Sequence, residues 1–344
     1  MQRARASKEV VAGLDAARAL AAVYVVVHHI AMDRGVSGLL GATLRLGQEA
    51  VIVFFVLSGV VIFLNEYNRV SGLWAYCLRR LRRIYPPLIV SFFVSALVAL
   101  DNGELFSKFS AANLLGNLAS LQDIRGLKPG VWVDPFLGNS PLWSLSYEVA
   151  FYAIFPAVMI IWRRSPVLSS HVVGAISCLA YISYVAAPNH LSLVVAYFQV
   201  WWLGAMAVAQ ALKGYRTAAS LKVELFWSFA LCGLAAAAVA IAGYKGFGYY
   251  PFLQFRHFFL ATVVVCALFG PAGLFLAAGA ARWAGAWAFI SSISYGLYIF
   301  HYPLVVQWKR AHSFAGLLFA GSMLLVCAWA FDRQLNRVLP KAPA

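Results

Sequence analysis

Charge is scarce in this chain of 344 residues, because only 11% of them are charged and 62% are hydrophobic. A soluble domain cannot bury so much apolar surface, so the composition excludes an ordinary soluble protein and indicates a polytopic membrane protein. Acidic residues are the scarcest, 12 against 27 basic ones. The net charge of +15 does not indicate a partner nucleic acid, because the basic residues are spread through short loops between apolar segments.

Cysteine is also rare, and its spacing argues against a metal centre. The five cysteines lie in or beside apolar segments without CxxC or metal-ligand spacing: Cys77, Cys178, Cys232, Cys266 and Cys327. We interpret them as packing residues and expect no metal. The sequence has no internal repeat, low-complexity tract or linker, so we expect one membrane domain over residues 1–344.

Ten apolar segments predict an all-α fold, a polytopic transmembrane helix bundle. The segments lie near residues 14–32, 50–65, 84–100, 141–162, 166–187, 191–212, 223–243, 255–278, 286–308 and 313–331. Loops on the side of the N-terminus hold seventeen basic residues, including Arg3, Arg5 and Lys341, and loops on the other side hold nine. By the positive-inside rule, both termini are predicted to be cytoplasmic.

The longest connection on the other side runs from Asp101 to Ser140. Apolar residues recur within it at helical spacing: Ala111, Leu114, Leu115, Leu118 and Leu121. This pattern predicts a short amphipathic helix on the outer surface. Two interpretations are open for the whole connection, a lid or acceptor platform and a plain covering segment.

The first span carries ionisable residues at membrane depth, where they are costly and commonly functional. Arg18 and His29 are eleven residues apart, which returns them to nearly the same helical face, about 16 Å apart along the axis. We expect both to face one cavity, whereas His28 points about 100° away. The alternative is that Arg18 extends to the headgroups and His29 is a hydrogen-bonded packing residue.

Basic and small residues mark the next two spans. Ser58 and Gly59 form a small pair in the second span, which either allows close helix packing or lines a cavity. Four arginines precede the third span: Arg79, Arg80, Arg82 and Arg83. Arg79 shares a helical face with Arg82 or Arg83, and such a pair binds phosphate well. The alternative is a topogenic cluster that contacts anionic headgroups.

Two later spans carry buried polar residues. Glu148 shares a helical face with Ser144 and has no basic residue nearby in its own helix, so it needs a partner from another span. Its predicted depth matches that of His29, and an imidazole–carboxylate pair is a common general base. The alternative is a structural interhelix hydrogen bond. The ninth span contains a polar stripe, which is also typical of helix packing: Ser291, Ser294, Tyr298 and His301.

Together these motifs resemble the acyltransferase 3 family, the integral-membrane acyltransferases that modify bacterial cell-surface sugars. The resemblance lies in GLDAARALAAVYVVVHH (13–29), FFVLSG (54–59), RRLRRIYP (79–86), PLWSLSYEVAFYAIFP (141–156) and SYGLYIFHYPL (294–304). The family's arginine–histidine pattern falls on Arg18 and His29, and its arginine motif falls on Arg79 and Arg82. Some relatives append a soluble esterase-like domain, which we do not expect here.

The resemblance implies an acyltransferase of the bacterial inner membrane. It would move an acyl group, expected to be acetyl, from cytoplasmic acyl-coenzyme A to a hydroxyl of a cell-surface or lipid-linked glycan, and its other partners would be membrane lipids. The assigned residues are His29 and Glu148 for catalysis, Arg18, Arg79, Arg82 and Ser58 for the donor, and Trp143, Ser144, Tyr147, Tyr298 and His301 for the acceptor. Direct transfer and a covalent acyl-histidine both stay open. A transporter or flippase of a lipid-linked sugar is the alternative function.

Overall fold

A computed structural model describes residues 7–69 and 72–340, and within them the chain is a bundle of α-helices. The predicted all-α fold is confirmed. The helices are Lys8–Asp33 (α1), Gly38–Thr43 (α2), Gly47–Glu66 (α3), Leu73–Asp101 (α4), Leu105–Lys108 (α5), Ala111–Leu118 (α6), Trp143–Arg164 (α7), Pro166–Ala186 (α8), His190–Leu212 (α9), Lys222–Ala242 (α10), Phe252–Leu268 (α11), Pro271–Ala281 (α12), Ala284–Ser292 (α13), Ser294–His301 (α14), Phe314–Cys327 (α15) and Leu335–Val338 (α16). Arg3, Arg5 and Lys341 lie outside the described residues.

The described part of the chain has eight helical segments long and apolar enough to cross a bilayer, and two bent helix pairs. α11 and α12 meet at 76°, across Gly270 and Pro271. Proline has no N–H to continue a helix, which explains the break. α13 and α14 meet at 47°, and π-helical turns continue α14 over Tyr302–Gln307. If each bent pair is one span, the number is the predicted ten.

The centre of the bundle is the contact between α3 and α9, which approach closely because glycines lie on both sides. A Cβ atom on Gly59 would lie 2.0 Å from the carbonyl oxygen of Trp201. One on Gly204 would lie 2.2 Å from the carbonyl oxygen of Val56. Real Cβ atoms do not approach this closely, so the contact requires glycine at both positions. Gly59 therefore serves helix packing, one of the two interpretations of the small pair.

The bundle has two chemically distinct ends. At the first, which we call the loop end, the segment 101–140 meets the turn 309–312. Arg310 Nε donates to Asp101 Oδ2 at 2.8 Å, and Lys309 Nζ lies 2.9 Å from Glu104 Oε1. Hydrogen bonds from Lys108 and Lys309 lower the pKa of Glu104. The opposite end, which we call the arginine end, contains the arginines of α4 and the contact of Arg163 Nη2 with the carbonyl of Arg69 at 3.2 Å.

The segment 101–140 contains the predicted amphipathic helix as α6. Ser110 caps it by accepting a hydrogen bond from the N–H of Asn113 at 3.3 Å, and Leu121 lies beyond its end. The remainder of the segment is anchored by a fully buried ion pair, Asp123 Oδ1 with Lys128 Nζ at 2.8 Å. Burial lowers the pKa of Lys128, and the charge of Asp123 opposes that shift. An anchored segment of this kind favours the covering interpretation over a mobile lid.

Candidate functional site

Five of the predicted site residues line one interior cavity of about 80 Å³. The cavity lies among α1, α3, α4, α7 and α14. Its polar lining is Arg18, Ser58, Arg83, Ser144, Glu148, Tyr152, Ser294, Tyr295 and Tyr298, and its apolar lining is Val51, Phe54, Phe55, Ile84 and Leu145. Arg18 faces the cavity as predicted, whereas His29, which was predicted to face the same cavity, is not part of its lining. Ser58 lines the cavity as well, so that its small pair serves both packing and the cavity.

Glu148 is held by hydroxyl groups rather than by histidine. Its Oε1 accepts a hydrogen bond from Ser58 Oγ at 2.7 Å and another from the hydroxyl of Tyr152, one helical turn along α7. The indole N–H of Trp201 donates to Ser58 Oγ at 3.1 Å, which fixes the serine between α3 and α9. Glu148 shares the cavity with the guanidinium of Arg18, so a carboxyl group and a guanidinium group line one space.

The partner of His29 is His301, on α14. His29 Nδ1 lies 3.0 Å from His301 Nε2 and 3.0 Å from the carbonyl oxygen of Val25. The prediction that His29 pairs with Glu148 is therefore wrong. The sequence argument compared depths in two spans, and depth does not tell which side of each helix meets the other. His28 points elsewhere, as predicted, with its Nδ1 at the carbonyl of Leu44.

Neither histidine lines the interior cavity, and His301 lies beside it on α14. Tyr298, which lines the cavity, precedes His301 by three residues, and their ring centroids are 6.3 Å apart. The hydroxyl of Tyr298 donates to the carbonyl of Pro141 at 2.6 Å and lies 2.8 Å from Ser144 Oγ. Since that hydroxyl has one proton, Ser144 is the donor of the second bond. The end of α7 is thus fixed against the helix that carries His301.

The four arginines of α4 line a second, more open cavity of about 300 Å³ at the arginine end. Glu66 lies beside it and pairs with Arg79 at 2.7 Å and with Arg80 at 3.0 Å. Arg83 pairs with the buried Asp332 and lies over the ring of Tyr295, 5.6 Å from its centroid. Four guanidinium groups thus surround this open cavity. Arg83 lines the interior cavity too, so it connects the two spaces.

Two residues assigned to the acceptor lie elsewhere, beneath the segment 101–140. Lys128 Nζ lies 3.7 Å from the centroid of the Trp143 ring, and the hydroxyl of Tyr147 donates to Asp123 Oδ2 at 2.6 Å. Both aromatic residues are one position away from the cavity-lining Ser144 and Glu148, and one position turns an α-helix by about 100°. Trp143 and Tyr147 thus anchor the buried ion pair rather than the cavity.

Sequence reasoning assigned no site role to Tyr152 and Tyr295, and it considered Arg83 only as a helical-face partner of Arg79. Helical spacing held a signal for two of them. Tyr152 follows Glu148 by four residues, and Tyr295 precedes Tyr298 by three, so each shares a face with a residue that was selected. Within residues 7–69 and 72–340, no group of three His, Cys, Asp or Glu side chains is placed to hold a metal ion.

Comparisons with known proteins agree with the motifs. A family model described as an acyltransferase domain matches residues 11–332. The chain is 26% identical over 322 residues to the putative peptidoglycan O-acetyltransferase YrhL of Bacillus subtilis, covering 86% of the chain and 48% of that protein. It is 29% identical to the acyltransferase MdmB of Streptomyces mycarofaciens, over 49% of the chain and 46% of the relative. It is 28% identical to the peptidoglycan O-acetyltransferase OatA of Listeria monocytogenes, over 52% of the chain and 29% of the relative. The chain thus spans about half or less of these curated relatives. No solved structure matches it.

Proposed function

Because the chain belongs to the acyltransferase 3 family, we propose that it is a membrane O-acyltransferase that moves an acyl group from acyl-coenzyme A to a hydroxyl of a cell-surface or lipid-linked glycan. The proposed group is acetyl, since two of the relatives are named as O-acetyltransferases. We place the protein in the bacterial inner membrane, with the arginine end facing the cytoplasm where acyl-coenzyme A is made.

The observation that carries the proposal is the position of Arg83 between two cavities. The open one, lined by four guanidinium groups, suits the phosphates of coenzyme A, because arginine binds phosphate through paired N–H donors. The interior one leads from Arg83 to Tyr298, next to the histidine pair. A pantetheine arm on the order of 15–20 Å matches the rise of about 16 Å from Arg18 to His29.

In the proposed reaction, His29 is the general base for the acceptor hydroxyl. The hydroxyl oxygen bonds to the thioester carbonyl carbon as its proton passes to His29. The carbon–sulfur bond then breaks, and the thiolate of coenzyme A takes the proton. Arg18 and Ser58 line the path of the donor arm, and Ser144 and Tyr298 lie where the two substrates meet. Glu148 balances the charge of Arg18 inside the cavity.

The test uses the full chain, purified into lipid nanodiscs, with radiolabelled acetyl-coenzyme A and a glycan acceptor. His29→Ala is expected to reduce acetyl transfer by about 10²- to 10⁴-fold, the usual contribution of a general base. The control is His171→Ala, which removes an exposed histidine that contacts Trp227 on the far side of the bundle. Undiminished transfer by a normally folded His29→Ala protein would refute the assignment of His29.

The glycan itself is identified in cells. Surface polysaccharide made with and without the protein is compared for acetyl content, and a difference confined to one sugar position identifies the acceptor. Transport of a lipid-linked sugar without acyl transfer would instead support the transporter alternative.

A further inference from the structure

His29 and His301 are hydrogen-bonded to each other, and two backbone carbonyls beside them define which nitrogens carry protons. The Nδ1 atom of His301 lies 2.9 Å from the carbonyl oxygen of Leu297. A carbonyl oxygen only accepts, so this contact requires an N–H at Nδ1 of His301. A neutral imidazole has one such proton, and Nε2 of His301 is therefore an acceptor.

The same reasoning applies to His29. Its Nδ1 is 3.0 Å from the carbonyl oxygen of Val25, which again requires an N–H there. That N–H also faces Nε2 of His301 at 3.0 Å, so it is shared between a carbonyl and an imidazole. Nε2 of His29 is left without a proton, in the form that a base requires.

We propose that His301 is a positioning residue that accepts a hydrogen bond from His29 and stabilises the imidazolium formed when His29 takes a proton. This inference rests on the proposed function, in which His29 is the base. His301 is fully buried, with 0% of its surface exposed, so it acts through His29 rather than on the acceptor. In serine hydrolases a carboxylate occupies the equivalent place behind the histidine.

A neutral imidazole suits this position better than a carboxylate would. The carboxylate of Glu148 is already taken by Ser58 and Tyr152 and shares its cavity with Arg18. A second buried negative charge behind His29 would need its own counter-charge. His301 supplies a hydrogen-bond acceptor that needs no counter-charge, and the carbonyl of Leu297 holds its ring in place.

The test compares His301→Leu with His301→Gln. Leucine removes the acceptor, so kcat is expected to fall about 10- to 100-fold, the effect of losing a hydrogen bond to a charged group. KM for acetyl-coenzyme A is expected to stay within about twofold. Glutamine places an amide oxygen near the position of Nε2, so His301→Gln is expected to recover most of kcat. His257→Leu, at an equally buried histidine bonded to Tyr197, is the matched control and is expected to keep kcat.

Equal losses of kcat in His301→Leu and His301→Gln would overturn the inference. A rise in KM for acetyl-coenzyme A with kcat unchanged would overturn it as well. Nitrogen NMR of ¹⁵N-histidine protein gives a readout without catalysis. Protons on Nδ1 of both histidines and a bare Nε2 on each are expected, and the opposite tautomer at His301 would overturn the inference too. Absence of acyl transfer by the unsubstituted protein would contradict the proposed function instead, and leaves the NMR result to decide the hydrogen bond.

Discussion

At the scale of single residues, the arginines of α4 differ in their contacts. Arg79 and Arg80 share the carboxylate of Glu66, which joins α4 to the end of α3. Arg83 pairs with Asp332 and lines both cavities. Arg82 lines the open cavity beside them. Removing Arg79 would therefore disturb the interhelix ion pair with Glu66. We test the proposed phosphate recognition at Arg82, which lines the same open cavity.

Arg82→Ala is expected to raise KM for acetyl-coenzyme A by about 10-fold while kcat changes little. The physical reason is the loss of charge-assisted hydrogen bonds to phosphate, each contributing on the order of 1.5–3 kcal/mol. Steady-state kinetics of the purified protein measures the change.

Arg164→Ala is the matched control, because it removes an exposed arginine from the same end of the bundle, at the end of α7. An equal KM rise in both variants would indicate general surface charge. Loss of insertion by Arg82→Ala would support the topogenic interpretation of the cluster.

At the scale of helices, the glycine contact between α3 and α9 holds Ser58 where it reaches Glu148. Backbone carbonyls occupy the space that any side chain at Gly59 or Gly204 would need. Trp201 lies at the same contact and donates to Ser58, so packing and cavity geometry depend on one helix pair.

Gly59→Ala is expected to destabilise the protein by about 1–3 kcal/mol, because the added methyl group forces the two backbones apart. The unfolding midpoint in detergent, followed by scanning fluorimetry, measures the loss. Gly233→Ala is the control, since that glycine lies in α10 with open space around it. It is expected to gain about 0.5–1 kcal/mol of helix stability. A midpoint unchanged by Gly59→Ala would contradict the close contact.

At the scale of the whole molecule, the bent helix pairs determine how many times the chain can cross the membrane. In the described part of the chain, eight helical segments are long and apolar enough to cross singly, and each bent pair is either one crossing or a return to the same side. Ten crossings would bring both termini to one face, and the excess of basic residues in the loops of the arginine end predicts that this face is cytoplasmic.

Single cysteines introduced into a cysteine-free background test this orientation. Lys309→Cys, at an exposed position of the loop end, is expected to react with a membrane-impermeant maleimide on intact spheroplasts. Arg164→Cys is expected to react only after the membrane is permeabilised. The reverse pattern would contradict the orientation, and labelling of both from one side would contradict the number of crossings.

The sequence by itself identified the apolar segments and the family, and it placed most segment ends within a few residues. The largest exception is α4, which begins at Leu73 rather than near residue 84. A span in lipid must satisfy its backbone hydrogen bonds internally, so length and hydropathy alone identify it. Helical period likewise placed Arg18 towards a cavity and Ser144 beside Glu148, because positions on one helix are related by a known rotation.

Only the tertiary structure decided which helices present those faces to one another. It paired His29 with His301 and placed Glu148 between Ser58 and Tyr152. It also turned Trp143 towards the buried Lys128. The physical reason is that a contact between two helices depends on their relative rotation, tilt and separation. Those are set by packing across the whole bundle, such as the glycine contact of α3 and α9, and not by the local period of either helix.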